Sequence, residues 1–554
     1  MKKRKLKGFY KIVVIILSLL LIGFILSIAP NYILDKNAKK IKFIINNNDV
    51  TSSLKKDIII QDNVIYVSKG DIENFFDGEI TYDSKYNQII TTSETKVAAL
   101  PIEEKNIQIN SSNVTIYAGT IEKDQTYYLP FSEISKSVYN VETTFIPETN
   151  TVLSVSLDKK LVYANSSKNN SVKYKTTVFS KTVDRIKKGE NVTIVDSKDD
   201  WTKITTENGK IGYVKTKTLA NEKVVREDLD IGNQINGKVS MFWDYFSEYS
   251  KAPTRTGKIE GVNVVSPSFI TIKKLGQGDI EQNIGTAGIA YIKWAHDNGY
   301  KVWPLVSNNS MKDTTSEIIK DYKLREKLIN NIVDSLVQYG FDGINLDFEN
   351  IYEQDKDAYS QLIIELAPRL RELGKVLSVD VTAPDGSPDW SLCFNRNIIA
   401  KAADYIVFMA YDQHTSNDKI GTVAGFDWVE TNLNKFLDRE KIESNKIILG
   451  IPFYTRFWKE NSSGNIDSSV IFMKDTYKNI PSDASIVWLE AEKQNYAEYV
   501  KNGSKYKVWI EDEKSISEKL SLINKYNLAG TACWAKDRET ENIWQLFSNT
   551  LGIK

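Results

Sequence analysis

Histidine and cysteine are scarce in this chain of 554 residues, which holds two of each. Cys393 and Cys533 are too few for a disulfide framework or a cysteine-based zinc cluster. We expect both to be buried as small apolar groups, with one disulfide between them as the alternative. His296 and His414 are too few for a multi-histidine metal site, so we expect structural or solvated roles for them. The sequence therefore predicts neither a metal nor a cofactor.

A net charge is also absent, because 72 Lys and Arg residues balance 72 Asp and Glu residues. This balance gives no electrostatic reason to expect a nucleic acid as a partner. Hydrophobic residues make up 41% of the chain and aromatic residues 11%. A chain of this length and composition can bury several cores, so we expect a multidomain protein.

The N-terminus combines a basic segment, 1–11, with an uncharged run, 12–29. As a helix the run spans about 27 Å, close to the ~30 Å hydrocarbon core of a bilayer. A cleaved signal peptide is the rival interpretation, but the run is long for one and Pro30 makes a poor cleavage site. We predict a cytoplasmic tail followed by a transmembrane helix. The remaining domains are then outside the cell, in a single-pass protein that faces the cell wall.

Residues 41–157 read as short strands with Asn, Asp and Gly turns, and they contain an internal echo. The two copies begin at Ile65-Tyr66-Val67 with Asp71-Ile72, and at Tyr127-Tyr128-Leu129 with Glu133-Ile134. The pattern resembles the stalk-like domain of bacterial surface proteins that is named for the copper amine oxidase N-terminal domain. This resemblance implies a small α+β, β-rich spacer or wall-facing element without catalytic residues.

A second β-rich block covers residues 160–222. Trp201 in one strand and Gly209-Lys210-Ile211-Gly212-Tyr213-Val214 in the next resemble the bacterial SH3-like domain, a small β-barrel. The resemblance implies binding of peptide or glycan. Trp201 and Tyr213 could instead belong to the core, and for Trp201 we expect the core.

From residue 237 to 554 the pattern changes to strands separated by helical segments, which is typical of a βα architecture. Eight such units over about 300 residues fit a (β/α)8 TIM barrel, whose chemistry lies at the C-terminal strand ends. The segment 459–508 is too long for a loop and a helix, so we expect an insertion beside the cleft. The predicted strands are 238–246, 262–272, 301–307, 343–349, 377–384, 405–412, 446–454 and 530–534, with helices at 286–298, 323–339, 356–373 and 516–526.

The fourth of these strands carries polar side chains through an apolar segment. Asn345, Asp347 and Glu349 share one face because successive side chains of a strand alternate, whereas Asp342 is out of phase and is expected to be structural. Buried carboxylates without partners cost several kcal/mol, so a purely structural strand is a poor explanation. The pattern indicates an active-site strand.

This strand resembles the DGxDxDxE signature of family 18 glycoside hydrolases. Three further motifs agree in order and position: Met409-Ala410-Tyr411-Asp412 on strand six, Gly450-Ile451-Pro452-Phe453-Tyr454-Thr455-Arg456 on strand seven, and Trp534 on strand eight. The resemblance implies catalytic roles for Glu349, Asp347, Tyr411 and Asn345. It implies substrate binding by Trp534, Asp412, Met409, Tyr454, Arg456, Trp243 and Asn308.

The spacing has a mechanistic meaning of its own. Most glycosidases place two carboxyl groups on opposite sides of the scissile bond. Asp347 and Glu349 lie on one face of one strand, about 6.8 Å apart along it. This suits a mechanism in which the 2-acetamido group of the sugar attacks the anomeric carbon, with retention of configuration. Glu349 would be the acid and base, with its pKa raised by its acidic neighbour, and Asp347 would hold the acetamido N–H.

Asn345 departs from the common signature, which has Asp there. An amide keeps the hydrogen bonds but removes a charge and a titratable proton. The variant DGxNxDxE resembles a bacterial branch that includes spore cortex-lytic N-acetylglucosaminidases, and 301–308 and 508–512 fit the same branch. The resemblance implies a wall-facing hydrolase that cleaves beside N-acetylglucosamine in peptidoglycan. A glycan-binding, lectin-like scaffold and a chitinase are the alternatives.

Overall fold

A computed structural model of the protein describes residues 40–226, 235–247, 249–416 and 419–554. The predicted tail and transmembrane helix lie outside these residues. Among the helices of the described chain, none is long and apolar enough to cross a bilayer.

The described chain forms two compact units, one of residues 40–93 and 98–226 and one of residues 94–97 and 235–554. The N-terminal unit contains a strand and helix that occur twice, at Val64–Ser68 with Lys69–Phe75 and at Thr126–Pro130 with Phe131–Tyr139. The two strands pair with each other in antiparallel fashion. The sequence echo therefore corresponds to a structural repeat.

The two repeat strands belong to one of three small sheets in this unit. The three sheets share a core in which the rings of Phe76 and Phe131 lie 4.8 Å apart. The other strands are Lys42–Ile45, Asn48–Asp49, Ile59–Gln61, Thr81–Asp83, Gln88–Thr92, Val97–Pro101, Asn106–Ile109, Ser112–Thr115, Ile121–Lys123, Val141–Ile146 and Thr151–Ser156.

The SH3-like block is one seven-stranded sheet around a small core that excludes the two aromatic residues of its motif. Trp201 is half-buried, and the Lys215 ammonium lies 4.5 Å from its ring. The expectation that Trp201 belongs to the core is therefore wrong, and Tyr213 is half-buried as well. The strands are Leu161–Ser166, Asn170–Lys173, Thr182–Ile186, Asn191–Lys198, Trp201–Thr206, Ile211–Lys215 and Leu219–Arg226.

The C-terminal unit contains a closed barrel of eight parallel strands. Strand 3 is in two pieces, because Trp303-Pro304 interrupts it and proline has no N–H for a ladder. Its first piece pairs with strand 2 and its second with strand 4, and strand 8 pairs with strands 7 and 1. The strands are Val239–Asp244, Val264–Pro267, Lys301–Val302 with Leu305–Ser307, Gly343–Asp347, Val376–Val381, Tyr405–Met409, Ile447–Pro452 and Gly530–Trp534.

Helices cover the outside of the barrel. The first connection is an exception, since its described residues, 245–247 and 249–263, contain no helix. A hairpin of Ile270–Ile272 and Ile280–Gln282 precedes the first helix. The helices are Gly285–Asp297, Lys312–Lys320, Tyr322–Tyr339, Lys356–Glu372, Arg396–Ala402, Phe426–Asn434, Glu513–Lys525 and Ile543–Leu551.

The predicted insertion is a five-stranded antiparallel sheet between strands 7 and 8. It extends from Tyr454 to Ile510, slightly beyond the expected 459–508. Its strands are Tyr454–Glu460, Ile466–Phe472, Ile486–Leu489, Gln494–Lys501 and Ser504–Ile510, with the short helix Thr476–Asn479.

The end of the insertion is fixed to the following helix by a buried ion pair. Lys519 Nζ lies 3.0 Å from Glu511 Oε2, and both side chains are fully buried. Asp512 caps the same helix, because its side chain accepts from the Ser515 backbone and its own N–H donates to the Ser515 hydroxyl. The geometry of the insertion at the barrel is thus held by charge-assisted bonds.

The scarce residue types have structural positions. Cys393 and Cys533 are both buried and free, so the predicted apolar role is confirmed and the alternative disulfide is not formed. His296 contacts Asp342 at 3.0 Å. Burial alone would raise the pKa of Asp342, but hydrogen bonds from the Val302 N–H, Lys301 and His296 lower it. These contacts support the structural role expected for Asp342.

Candidate active site

Strand 4 presents alternate residues to the two sides of the barrel, as predicted. Ile344 and Leu346 pack in the core between strands and helices. Asn345, on the other side, is fully buried and bonds to Trp243 of strand 1 across the barrel interior and to Asp380 of the neighbouring strand 5. Asp347 is in phase with Asn345 and reaches the open end of the barrel, where it lines a cleft. The alternation thus carries the polar side chains from the interior to the C-terminal strand ends.

The side-chain amide of Asn345 is saturated with hydrogen bonds. Its oxygen accepts from Trp243 Nε1 at 2.6 Å, and its nitrogen donates to Asp380 Oδ1 at 2.7 Å and to Ser378 Oγ at 3.1 Å. A carboxylate at this position could not donate to Asp380. The amide therefore provides a permanent donor to a buried acid.

Asp380 is a site residue that the sequence prediction missed. It lies on strand 5, and its Oδ2 is buried without a hydrogen-bond partner among the described residues. Burial raises its pKa well above the usual value, Glu349 raises it further, and the bond from Asn345 opposes the shift. The sequence could have predicted Asp380, since Ser378 and Asp380 alternate with apolar residues on a strand of a parallel sheet, where a continuous apolar run is expected.

Asp347 also has a buried oxygen, Oδ1, with no hydrogen-bond partner in the described chain. Its pKa is raised well above the usual value, first by burial and then by Glu349 and Asp380. Buried polar atoms are nearly always paired, so this oxygen requires an explanation. It is available to accept a donor from a bound molecule.

Glu349 follows strand 4 and lines the same cleft. Its pKa is raised to about 7, mainly by burial and secondly by the charge of Asp412. The predicted direction agrees. The predicted interaction with Asp347 is present, since Glu349 raises the pKa of Asp347, and Asp412, which follows strand 6, is a further acid that acts on Glu349. A carboxyl group with a pKa near neutrality can donate and accept a proton at physiological pH.

Asn308 fixes the backbone of Glu349. Its Nδ2 donates to the Glu349 carbonyl at 2.8 Å, and its Oδ1 accepts from the Glu349 N–H at 3.0 Å. The side chain is fully buried and also bonds to Thr315. The prediction of a substrate contact for Asn308 is therefore corrected: the residue positions Glu349 from the end of strand 3.

Tyr411 lies within the same group of aromatic and acidic side chains. Its ring is 6.4 Å from the rings of Trp243 and Tyr454, each in an edge arrangement. Burial raises its pKa well above the usual value, and Asp380 adds to the shift. The hydroxyl therefore keeps its proton and can act as a hydrogen-bond donor. Tyr454 donates to Asp412 Oδ1 at 2.7 Å, which holds that acid near the cleft.

Trp534 lines a cleft of about 490 Å³ at the C-terminal ends of the barrel strands, together with Asp347 and Glu349. The exposed Tyr245 ring lies 5.5 Å from the Trp534 ring. Aromatic faces beside carboxyl groups suit the apolar face and polar edges of a sugar. The cleft can therefore hold a saccharide against Trp534.

Three predicted substrate-binding residues have other surroundings. Trp243 is only 1% exposed and supports Trp534 from below at 5.7 Å, so a direct sugar contact is corrected to packing. Met409 is buried in strand 6. The contacts of Arg456 lie in the insertion, where Nη1 donates to Ser468 and the guanidinium is 5.9 Å from the Trp458 ring.

The chemical groups available at this site are carboxyl groups, which can act as acids and bases. Among the residues that the structure describes, no cluster of histidine, cysteine and acidic side chains could hold a metal ion. Glu349, Asp347 and Asp380 are instead buried acids with raised pKa values. Pairs of such groups are the arrangement by which glycosidases obtain a usable acid.

We expect the hydrolytic rate to fall as the pH rises through about 7, because Glu349 must be protonated to act as an acid. Replacing Asp412 with Asn removes a negative charge that raises this pKa, so the alkaline limb should move to lower pH. The measurement is kcat against pH on a soluble chitooligosaccharide. Asp438→Asn, at an exposed position, is the control. If the alkaline limbs of the two pH profiles coincided for wild type and Asp412→Asn, the attribution of this limb to Glu349 beside Asp412 would be contradicted.

Comparison with protein families agrees with this geometry. The model "Glycosyl hydrolases family 18" matches residues 238–539, and the model "Bacterial SH3 domain" matches residues 177–220. The first match covers more than half of the chain.

Individual relatives and a solved structure point the same way. The "uncharacterized glycosylase YvbX" of Bacillus subtilis is 26% identical over 301 residues, 51% of this chain and 83% of the relative. The "cortical fragment-lytic enzyme" of Bacillus anthracis is 23% identical over 55% of this chain and 73% of the relative. The crystal structure of a chitinase from Chromobacterium violaceum matches with a TM-score of 0.50 and 25% identity, over 57% of this chain and 100% of the chitinase. With its barrel, its strand-4 carboxyl groups and the family match, the chain belongs to family 18 of the glycosyl hydrolases and is a glycosidase.

Proposed function

We propose that the protein cleaves the β-1,4 bond that follows N-acetylglucosamine in peptidoglycan, with retention of configuration. The observation that carries this is the pairing of two acids in one cleft: Glu349 with a pKa of about 7, and Asp347 with a buried oxygen that has no partner within the described chain. The name of the Bacillus anthracis relative supports a cell-wall substrate. The DGxNxDxE variant at Asn345 supports the same branch.

The reaction begins with the proton of Glu349. As Glu349 protonates the leaving oxygen, the acetamido carbonyl oxygen of the sugar attacks the anomeric carbon and forms an oxazolinium ion. Asp347 accepts the acetamido N–H through its free oxygen and stabilises the positive charge. Tyr411 donates its hydroxyl to the acetamido oxygen and so orients it. Glu349 then takes a proton from a water molecule that attacks the anomeric carbon. This attack opens the oxazolinium ring and gives net retention of configuration.

Trp534 binds the apolar face of the sugar that reacts. Its position in the cleft, between Tyr245 and the acids, supports this role. Asn345 and Trp243 lie beneath the reacting groups and keep Asp380 in place. The catalytic residues are therefore held from below by a buried hydrogen-bonded layer.

The proposed location is the outer face of the cell membrane. Its support is the uncharged run at 12–29 after a basic segment, which would place the N-terminus inside. A tethered enzyme reaches the wall of its own cell more readily than a distant polymer. Membrane fractionation should find the full chain in the membrane and a chain without residues 12–29 in the soluble fraction; equal distribution of the two would count against the anchor.

Mass spectrometry of products tests the substrate. The full chain, kept in a mild detergent, is incubated with peptidoglycan, with spore cortex and with chitin. We expect fragments that end in reducing N-acetylglucosamine from peptidoglycan or cortex. Cleavage of chitin alone would instead favour a chitinase, and binding to all three polymers without any product would favour a lectin-like scaffold.

A further inference from the structure

The guanidinium group of Arg538 lies beside Trp534 of the cleft, and no acid in the described part of the chain forms an ion pair with it. Arg538 follows strand 8, and its guanidinium carbon lies 5.7 Å from the centre of the Trp534 ring. On its other side, the ring of Phe472 from the insertion is 5.0 Å away. The two rings hold the guanidinium beside the floor of the cleft.

The acids next to Arg538 in the chain are already paired with other bases. Asp537 accepts two hydrogen bonds from Arg255, at 2.9 Å and 2.8 Å, and also contacts Lys536. Glu539 contacts Lys536 as well. No ion pair joins Arg538 to a carboxylate of the described residues.

The other groups that act on Arg538 are hydroxyls rather than carboxylates. Burial lowers its pKa, and the further groups that act on it are the hydroxyls of Tyr454, Tyr411 and Tyr245. A half-buried cation without a counter-charge is unfavourable unless a bound anion supplies one. An anion bound beside Trp534 would supply that counter-charge.

The shape of the group narrows the choice of anion. A guanidinium presents a planar fork of N–H donors that matches a carboxylate with two parallel hydrogen bonds. A sugar bound on Trp534 brings its own substituents and those of the adjoining sugar to this edge. Chitin is uncharged, whereas peptidoglycan carries carboxylates on its stem peptides and, where a muramic acid residue has no stem peptide, on the lactyl ether.

We propose that Arg538 binds a carboxylate of the substrate beside Trp534, and that it thereby selects acidic peptidoglycan over neutral chitin. This proposal rests on the proposed function, of which it names the specificity-determining residue. The carboxylate belongs to the lactyl group or to the stem peptide, and the two sources share the same chemistry.

A binding experiment tests this without requiring turnover. Glu349→Gln in the full chain provides an inactive background, and calorimetry measures Kd for three probes. The probes are chitobiose, the disaccharide of N-acetylglucosamine and N-acetylmuramic acid, and that disaccharide with a stem tetrapeptide. We expect a carboxylated probe to bind about tenfold more tightly than chitobiose, and Arg538→Gln to remove this preference while chitobiose binding stays unchanged.

The controls separate charge from packing. Arg439→Gln removes an exposed arginine that is paired with Glu440 and should leave every Kd unchanged. Arg538→Lys keeps the charge but not the fork and should retain part of the preference. The Tm of each variant shows whether it is folded.

Each outcome decides the proposal. The proposal is overturned if Arg538→Gln still binds the carboxylated probes more tightly than chitobiose. It is also overturned if the variant loses affinity equally for chitobiose, because Arg538 would then only support Trp534. If Arg538→Gln loses affinity only for the disaccharide with a free lactyl carboxylate, that group is the carboxylate bound by Arg538. If it loses affinity only for the tetrapeptide probe, the carboxylate belongs to the stem peptide. Failure of the proposed function is seen separately, as wild-type protein that releases no reducing ends from peptidoglycan.

Discussion

Glu349→Gln is expected to reduce the release of reducing ends by about 10³-fold or more, which is the upper part of the range for loss of a general acid. Glutamine is close in size to glutamate but has no proton of suitable pKa to give to the leaving oxygen. The backbone of residue 349 remains bound to Asn308, because both of those bonds are made by main-chain atoms. The fold and the cleft should therefore be retained.

The matched control for this variant is Glu353→Gln, an exposed glutamate four positions along the chain. It changes the same side chain outside the cleft and should keep the wild-type rate. Rates are measured on purified peptidoglycan and on a chitooligosaccharide, with circular dichroism to compare the folds. Turnover by a folded Glu349→Gln protein at more than a tenth of the wild-type rate would overturn its role as the acid.

Asp347→Asn is expected to reduce kcat by about 10²-fold to 10³-fold, the range seen when one stabilising contact to a developing charge is removed. The variant removes the carboxyl group whose ionised form would stabilise the oxazolinium ion. It also places an NH₂ group where the acetamido N–H must find an acceptor. Because Asp347 Oδ1 has no hydrogen-bond partner among the residues that the structure describes, the loss should be in the transition state rather than in the fold.

A chitooligosaccharide gives kcat and KM for Asp347→Asn separately. We expect the larger change in kcat, and an unchanged Tm. Asp357→Asn, on an exposed position of the helix after strand 4, is the control for the same chemical change. If Asp347→Asn left kcat within a factor of two of wild type, the acetamido contact would have to be made by another residue.

The sequence was sufficient to predict the barrel and the active-site strand. Both predictions depend on local patterns: buried apolar strands at regular intervals, and three polar residues with a period of two on strand 4. The observed strands are shorter than predicted at several ends, because strand-like residues continue into the loops that carry the cleft. The position of the insertion followed from length, although its antiparallel sheet did not.

The errors concern contacts between residues that are distant in sequence. Asn308 and Trp243 are polar or amphipathic residues near strand ends, and nothing local shows that both are fully buried. Their roles depend on Glu349 and Asn345, which are 41 and 102 positions away. The contribution of Asp412 to the raised pKa of Glu349 was missed for the same reason, since Asp412 follows strand 6 and is distant from Glu349 in the sequence. Asp380 could have been found, because its strand shows the same alternation.

The two hydrogen bonds between the Asn308 side chain and the main chain of Glu349 have a consequence for protein engineering and for evolution. Transplanting strand 4 alone into another barrel would move Glu349 without Asn308, the residue that positions its main chain. Strands 3 and 4 should therefore be grafted as one cassette, together with Thr315, which also contacts the amide. In an alignment of relatives, positions 308 and 315 should vary together, while the identity of the side chain at 349 stays independent of both.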